Sequence, residues 1–262
     1  DLNNITKPLA LHANAIDIKI TSNPVIGNLL EKRIYDDVKA EEVITELYTR
    51  GYDIYTLINA LSGGLLGRLK NRRIVPTRWA ITAVDSILGN YYRRRLIDKP
   101  VIDTVYAFKG EYLGNKFLVI YAPGPLELEW IEVWHPRILW SNNLNTPSAY
   151  MVYEDIYSRQ TEIDGGYLAA RLPALEYLYR IGRQASVLIY REILPEYYAP
   201  VGNWHIRETV KHLLKNKPTT YQTLHEALEN ELRYFKVKKE TWINRSRLAK
   251  EKDKQQRLER WF

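Results

Sequence analysis

The sequence predicts an α+β fold, and three observations predict it. Apolar residues recur at helical spacing through much of the first hundred positions, the stretch 101–135 switches to strand-like alternation, and helical spacing returns toward a basic C-terminus. The expected organisation is a mainly helical part over 1–100, an α+β part with a mostly antiparallel sheet over 101–235, and a basic helical tail over 236–262. With 45% hydrophobic residues in 262, the chain can bury a substantial core.

Residues 1–30 mix short apolar pieces with Pro8, Pro24 and Gly27 and show no lasting period. Over 39–50, Val43, Ile44, Leu47 and Tyr48 share a helix face, with Gly51 as the stop. Asp53 is placed to cap 54–61, which Ser62-Gly63-Gly64 ends. Pro76 holds Val75 extended, and Thr77 can cap a helix from Arg78 to about residue 95. Strands follow over 101–108, 116–122 and 126–133, separated by Gly110, Gly114 and Pro123-Gly124-Pro125. Glu127, Glu129 and Glu132 alternate with apolar residues and read as the wet face of a strand, an explanation that needs no metal.

A strand over 149–157 precedes Asp164-Gly165-Gly166, where Asp164 caps a helix over 167–181 that Pro173 interrupts or kinks. Residues 184–191 read as a short buried strand, and its placement as a central parallel strand is the alternative. His205, Glu208 and His212 share one helix face, read as solvated because no fourth zinc ligand stands nearby. Thr219 or Thr220 opens a helix to Phe235, and 240–254 forms a basic one.

The net charge of +7 is localised. Ten basic and four acidic residues over 236–262 leave 28 and 27 on the other 235 positions, so the body is nearly neutral. Besides the tail, two clusters can touch phosphates: Lys70, Arg72 and Arg73, and Arg93, Arg94 and Arg95. No apolar run approaches the roughly 20 residues of a membrane span, and the absence of cysteine excludes disulfides and thiolate metal sites. There is no phosphate-binding Gly-x-x-x-x-Gly-Lys loop and no Gly-x-Ser-x-Gly. A single Met with heavy use of Lys, Arg, Ile and Tyr points to a thermophile. The expected location is cytoplasmic and nucleoid-associated. Without an initiator Met, the chain reads as a fragment.

The last eight residues carry the sharpest signal. Gln255-x-x-Leu258-x-x-Trp261-Phe262 places Leu258, Trp261 and Phe262 on one face of a single helical turn, with the Gln255 amide at one end. This resembles the peptide by which replication and repair proteins hang on the sliding clamp, PCNA; a terminal helix folded back on the body is the alternative. Upstream, Ile74-Val-Pro-Thr-Arg-Trp-Ala-Ile-Thr-Ala-Val-Asp85, Tyr153-Glu-Asp-Ile-Tyr157, Glu162-Ile-Asp-Gly-Gly-Tyr-Leu-Ala-Ala-Arg171 and Arg191-Glu-Ile-Leu-Pro-Glu-Tyr-Tyr-Ala-Pro-Val-Gly202 are spread over roughly half of the chain. They resemble the archaeal Nre family of DNA-repair proteins, which also ends in a clamp-type peptide. Family members begin with a cysteine-bearing segment suggestive of zinc; with no cysteine here, no metal is carried over and the cofactor is left unassigned.

Within these stretches Arg78, Asp85, Asp164, Arg171, Arg191 and Glu192 stand on helices or at a strand end, and the expectation is that they converge on one polar cleft, either as a site or as ion pairs. The implied function is a DNA-repair factor recruited by PCNA with weak, sequence-independent DNA contact. A non-catalytic clamp-bound adapter and an RNA-binding or metabolic protein with a chance tail are the alternatives.

Overall fold

The computed structural model describes residues 26–136, 138, 145–157, 164–197 and 201–251, and these form two compact units divided between Tyr91 and Tyr92. No helix among the described residues is long and apolar enough to cross a membrane.

The first unit holds α1 (Asn28–Tyr35), α2 (Ala40–Thr49), α3 (Ile54–Ser62) and most of α4 (Thr77–Leu96). Val43, Ile44 and Leu47 of α2 are buried, as are Ile54, Leu57 and Ile58 of α3, the spacing that gives each helix one apolar face. Asp53 caps α3 as its position implies, accepting from the N–H groups of Tyr55 (2.9 Å) and Thr56 (3.1 Å). Arg33 ties α1 to α2 through Glu46, 2.8 Å away.

The second unit is built on a sheet of six described strands: β1 (Val105–Tyr112), β2 (Asn115–Ala122), β3 (Glu127–Trp134), β4 (Ser148–Glu154), β5 (Ser186–Ile193) and β6 (Thr219–Tyr221). Their order is β4-β3-β5-β2-β1-β6. Every pairing is antiparallel except β3 with β5. The expected α+β class and mostly antiparallel sheet are therefore present, with β5 taking the central, partly parallel place left open as an alternative.

Side chains alternate across the sheet and feed two cores. On one face Phe117, Trp130 and Ile189 pack against α5 (Gly165–Ile181) and α6 (Trp204–Leu213) through Leu168, Leu175, Ile206 and Val210. On the other, Leu118, Ile131, Leu188 and Tyr190 meet α7 (Leu224–Glu231), α8 (Lys239–Arg245) and the residues that follow them. Trp242 anchors this second layer, with Phe235 stacked at 4.4 Å and Tyr190 at 5.4 Å.

Several local expectations are corrected. Thr219 and Thr220 belong to β6, paired with β1, while the helix starts later with Thr223 as cap, accepting from Glu226 N–H at 3.1 Å. Pro173 does not interrupt α5: residues 167–175 are all buried, and that packing outweighs the loss of one hydrogen bond. The basic helix expected over 240–254 breaks at Ser246, with 247–251 helical again.

The break is fixed by a carboxylate from β3. Glu129 is buried and accepts from Ser246 Oγ (2.5 Å), Arg247 N–H (2.6 Å) and Leu248 N–H (3.0 Å), so it caps the segment 247–251 from across the sheet. Glu129 and Glu132 are thus not a wet face. β3 is an interior strand covered on both sides, and the two carboxylates point into opposite layers. Burial pushes the Glu129 carboxyl up despite its three donors.

Candidate functional site

The parallel pair β3 and β5 ends together, the position where sheets of this kind leave room for ligands. Alternation delivers Glu132 and Trp134 from β3 and Arg191 from β5 to the face covered by α5 and α6. In the register Arg191 sits between Glu132 and Phe117, its partners on the neighbouring strands.

Arg191 organises what surrounds it. Its Nε and Nη2 donate to Asn115 Oδ1 at 3.0 and 2.7 Å, its Nη1 lies 3.3 Å from Glu132 Oε1, and Nη2 lies 3.3 Å from His205 Nε2. Phe117, Trp134 and Tyr197 surround the guanidinium with ring centres 5.9, 5.8 and 5.8 Å away. Asn115 is held in turn by the β1–β2 turn, donating to Leu113 O at 2.8 Å. In that turn Leu113 and Gly114 both take positive φ, 49° and 67°. A side chain at Gly114 would also meet the Tyr197 backbone N at 2.7 Å, so only glycine lets the loop carrying Tyr197 close over the turn.

The helices complete the walls. Asp164 caps α5, its Oδ1 accepting from Tyr167 N–H at 2.7 Å, as its place before Gly165-Gly166 implies. A Cβ on Gly166 would approach Asp164 Oδ1 at 3.2 Å and Glu132 Oε2 at 3.6 Å, so the bare first turn gives the two carboxyls space. From α6 comes His205, whose Nδ1 lies 2.6 Å from Gly202 O. A carbonyl only accepts, so Nδ1 carries the proton and Nε2 turns its lone pair to Arg191. The open pocket between them measures about 370 Å³ and includes Glu132, Trp134, Asp164, Arg191, Tyr197, Asn203 and His205 in its lining.

Two titrating groups are shifted here. Burial and the Arg191 charge push His205 down to about 4, so it is a neutral imidazole at pH 7. Burial pushes the Glu132 carboxyl up; Arg191 opposes that rise and Asp164 adds to it. The pocket therefore combines a carboxyl of raised proton affinity, a second carboxyl, a neutral imidazole with a fixed tautomer and an aromatic wall.

A pH prediction follows from His205. Its folded pKa, about 4, lies below the ordinary value of 6.5. The unfolded chain therefore binds the extra proton between these values, and stability present above pH 6.5 is lost as pH falls toward 4. Unscreened, the loss reaches about 3 kcal/mol. Urea denaturation of the parent and of His205→Gln at pH 7, 5.5 and 4.5 should show that the variant lacks this component; an identical pH dependence in both would refute it.

Of the residues expected to converge, Asp164 and Arg191 line this pocket. Glu192, next along β5, faces the opposite layer, where it accepts from Val237 N–H (2.7 Å) and Lys236 N–H (2.9 Å) and meets His135 (2.9 Å). Arg171 lies in another buried cluster: its Nη2 is 3.0 Å and Arg93 Nε 3.2 Å from Glu154 Oε1, while Tyr167 donates its hydroxyl to Glu154. Arg78, exposed in the first turn of α4, and Asp85, buried on the same helix, belong to the first unit.

The basic clusters divide as well. Arg72 donates to the carbonyls of Gly67 (2.7 Å), Asp36 (2.6 Å) and Ile34, and Arg93 is committed to Glu154 and Asp155 O. Lys70, Arg73, Arg94 and Arg95 are exposed. Gln255, Leu258, Trp261 and Phe262 lie outside the described residues.

His205 is one of the pocket residues that sequence reasoning missed. Its place on one helix face with Glu208 and His212 reads as solvated, yet it is buried. Asn115, Glu132, Trp134 and Tyr197 were likewise not assigned to the cleft.

Comparison with known proteins places the sequence in a family. Residues 1–141 match the family described as Archaeal Nre, N-terminal, and residues 154–261 match Archaeal Nre, C-terminal. The DNA repair protein NreA of Archaeoglobus fulgidus is 40% identical over 230 residues, covering 87% of this chain and 58% of that protein. NreA of Haloferax volcanii is 37% identical over 241 residues (89% and 57%), and DNA repair protein NreB of A. fulgidus is 34% identical over 249 (94% and 63%). The chain thus spans less than two thirds of the length of these relatives. No solved structure matches. With its N-terminal match alone covering more than half of the sequence, the chain belongs to the archaeal Nre family.

Proposed function

We propose that this chain is a DNA-repair factor brought to its substrate by the sliding clamp PCNA. The relatives' names supply the repair context, and the single observation that carries recruitment is the Gln255-x-x-Leu258-x-x-Trp261-Phe262 spacing. In this reading Leu258, Trp261 and Phe262 fill a clamp pocket while Gln255 bonds at its rim. The basic tail adds weak, sequence-independent attraction to DNA. The Arg191 cavity is the candidate place for chemistry or recognition. A clamp-bound adapter without chemistry is the second reading, favoured by Arg191 being engaged with Asn115, Glu132 and His205.

Calorimetric titration of the chain into PCNA tests recruitment. Trp261→Ala or Phe262→Ala should weaken binding by about 2 kcal/mol or more, at least roughly 30-fold, and Gln255→Ala by about 1 kcal/mol. Deleting 255–262 should abolish binding and leave the melting temperature of the body in place. A large fall in melting temperature with unchanged clamp affinity would assign the peptide to the core instead.

A further inference from the structure

The stretch that runs from the α3–α4 loop into the first turn of α4 is one-sided in charge. Over 65–79 it carries Arg68, Lys70, Arg72, Arg73 and Arg78 and no acidic residue, while the rest of residues 1–235 holds 23 basic against 27 acidic groups. It also exposes large apolar side chains that a monomer usually covers: Leu69 at 55%, Ile74 at 84% and Trp79 at 58%. Lys39, Arg68 and Arg73 line, with Arg72, a cavity of about 420 Å³.

The loop is held in shape. Arg72 spends its guanidinium on carbonyls at the end of α1 and on Gly67. Ser62 Oγ donates to Val75 O at 2.8 Å, and Val75 N–H donates to Ser62 O at 3.0 Å. Asp37 accepts from Leu69 N–H at 2.7 Å. Gly64, at φ +73°, lets the Arg73 backbone approach to where a Cβ would lie 2.9 Å away. Internal bonding thus consumes Arg72, while Lys39, Arg68, Lys70, Arg73 and Arg78 make no ion pair among the described residues. Exposed cations and an exposed indole on one ordered segment suit a partner with repeated negative charge and flat apolar faces.

We propose that this surface binds single-stranded DNA, with Lys39, Arg68, Lys70, Arg73 and Arg78 taking phosphates and the exposed Trp79 stacking on an unpaired base. A duplex satisfies the charges but hides its base faces, so the exposed indole selects the single strand. The choice of DNA rests on the repair reading above; the surface itself rests on the loop. Sequence reasoning had named Lys70 and Arg73, but it included Arg72, which is internal, and left out Lys39 and Arg68.

The test measures fluorescence anisotropy of the full chain with labelled dT20 and with a 20-base-pair duplex across a salt series. Arg68→Ala/Arg73→Ala should weaken dT20 binding about tenfold or more and flatten its log–log salt slope by about 1.4, two phosphates at roughly 0.7 each. Trp79→Ala should weaken dT20 binding about tenfold with the slope unchanged and duplex binding little altered. Both variants should melt with the parent, since the side chains are exposed. If both bind dT20 like the parent while neutralising Lys252, Lys254, Arg257 and Arg260 abolishes binding, the loop is not the site although the DNA reading stands. A parent that binds neither DNA overturns this proposal together with the DNA contact it rests on and leaves the adapter reading. Loss of binding to phosphatidylserine vesicles but not to dT20 would overturn the proposal in favour of a membrane surface.

Discussion

Arg191→Met should lower the stability of the second unit by about 3 to 5 kcal/mol, the range for removing one partner of a buried ion pair. The cost arises from what is left behind more than from the pair itself. Glu132 loses the cation 3.3 Å away, Asn115 loses donors at 3.0 and 2.7 Å, and His205 loses the N–H facing its lone pair. Arg191→Lys keeps the charge but not the planar fork that reaches three partners, and it should recover only part of the loss. In Arg191→Met/Glu132→Gln the stranded charge is gone, so the double variant should be more stable than Arg191→Met alone. Chemical denaturation of the four proteins decides this. A double variant no more stable than the single one would show that the Glu132 pairing is not what the arginine sustains.

Glu129→Ala should cost a similar amount, about 3 to 4 kcal/mol, because three donors lose their buried acceptor at once and the truncation leaves a cavity. Glu129→Gln preserves shape and one acceptor oxygen and should cost about 1 to 2 kcal/mol. The effect should begin locally. Trypsin cleavage after Arg245 and Arg247 should accelerate in Glu129→Ala before the sheet unfolds, since the capped segment opens first. Uniform protection of these bonds in the variant, together with parental stability, would show that Trp242 and Leu248 hold the segment without the carboxylate.

What the sequence made legible follows the range of the interactions involved. Asp53 and Asp164 were readable as caps because a cap is decided within three residues. Arg191 was readable as a strand-end residue from the apolar run before it. Pairing it with Glu192 in one cleft ignored the two-residue period of a strand, which sends neighbours to opposite faces; the structure puts one beside Glu132 and the other beside Val237. The misreading of Glu129 and Glu132 has a different origin. Alternation looks the same in an edge strand with a wet face and in an interior strand whose polar residues have buried partners, and only the sheet order distinguishes them. Arg171 and His205 were beyond local reasoning, since the face a helix presents to a sheet depends on where the strands lie.

The clasp of Glu129 on Ser246, Arg247 and Leu248 also sets a length. It fixes the backbone close to Glu251, the last described residue, and Gln255 follows only four positions later. Four residues reach at most about 14 Å even when fully drawn out. A clamp holding Gln255 would therefore have the sheet unit against its rim, not trailing on a long leash, and the body would sample a small volume around the DNA threaded through the ring. On the proposed recruitment, such a short link would raise the local concentration of the body at that DNA and restrict which face can turn toward the strand. On this geometry the buried carboxylate of β3 governs reach as well as stability.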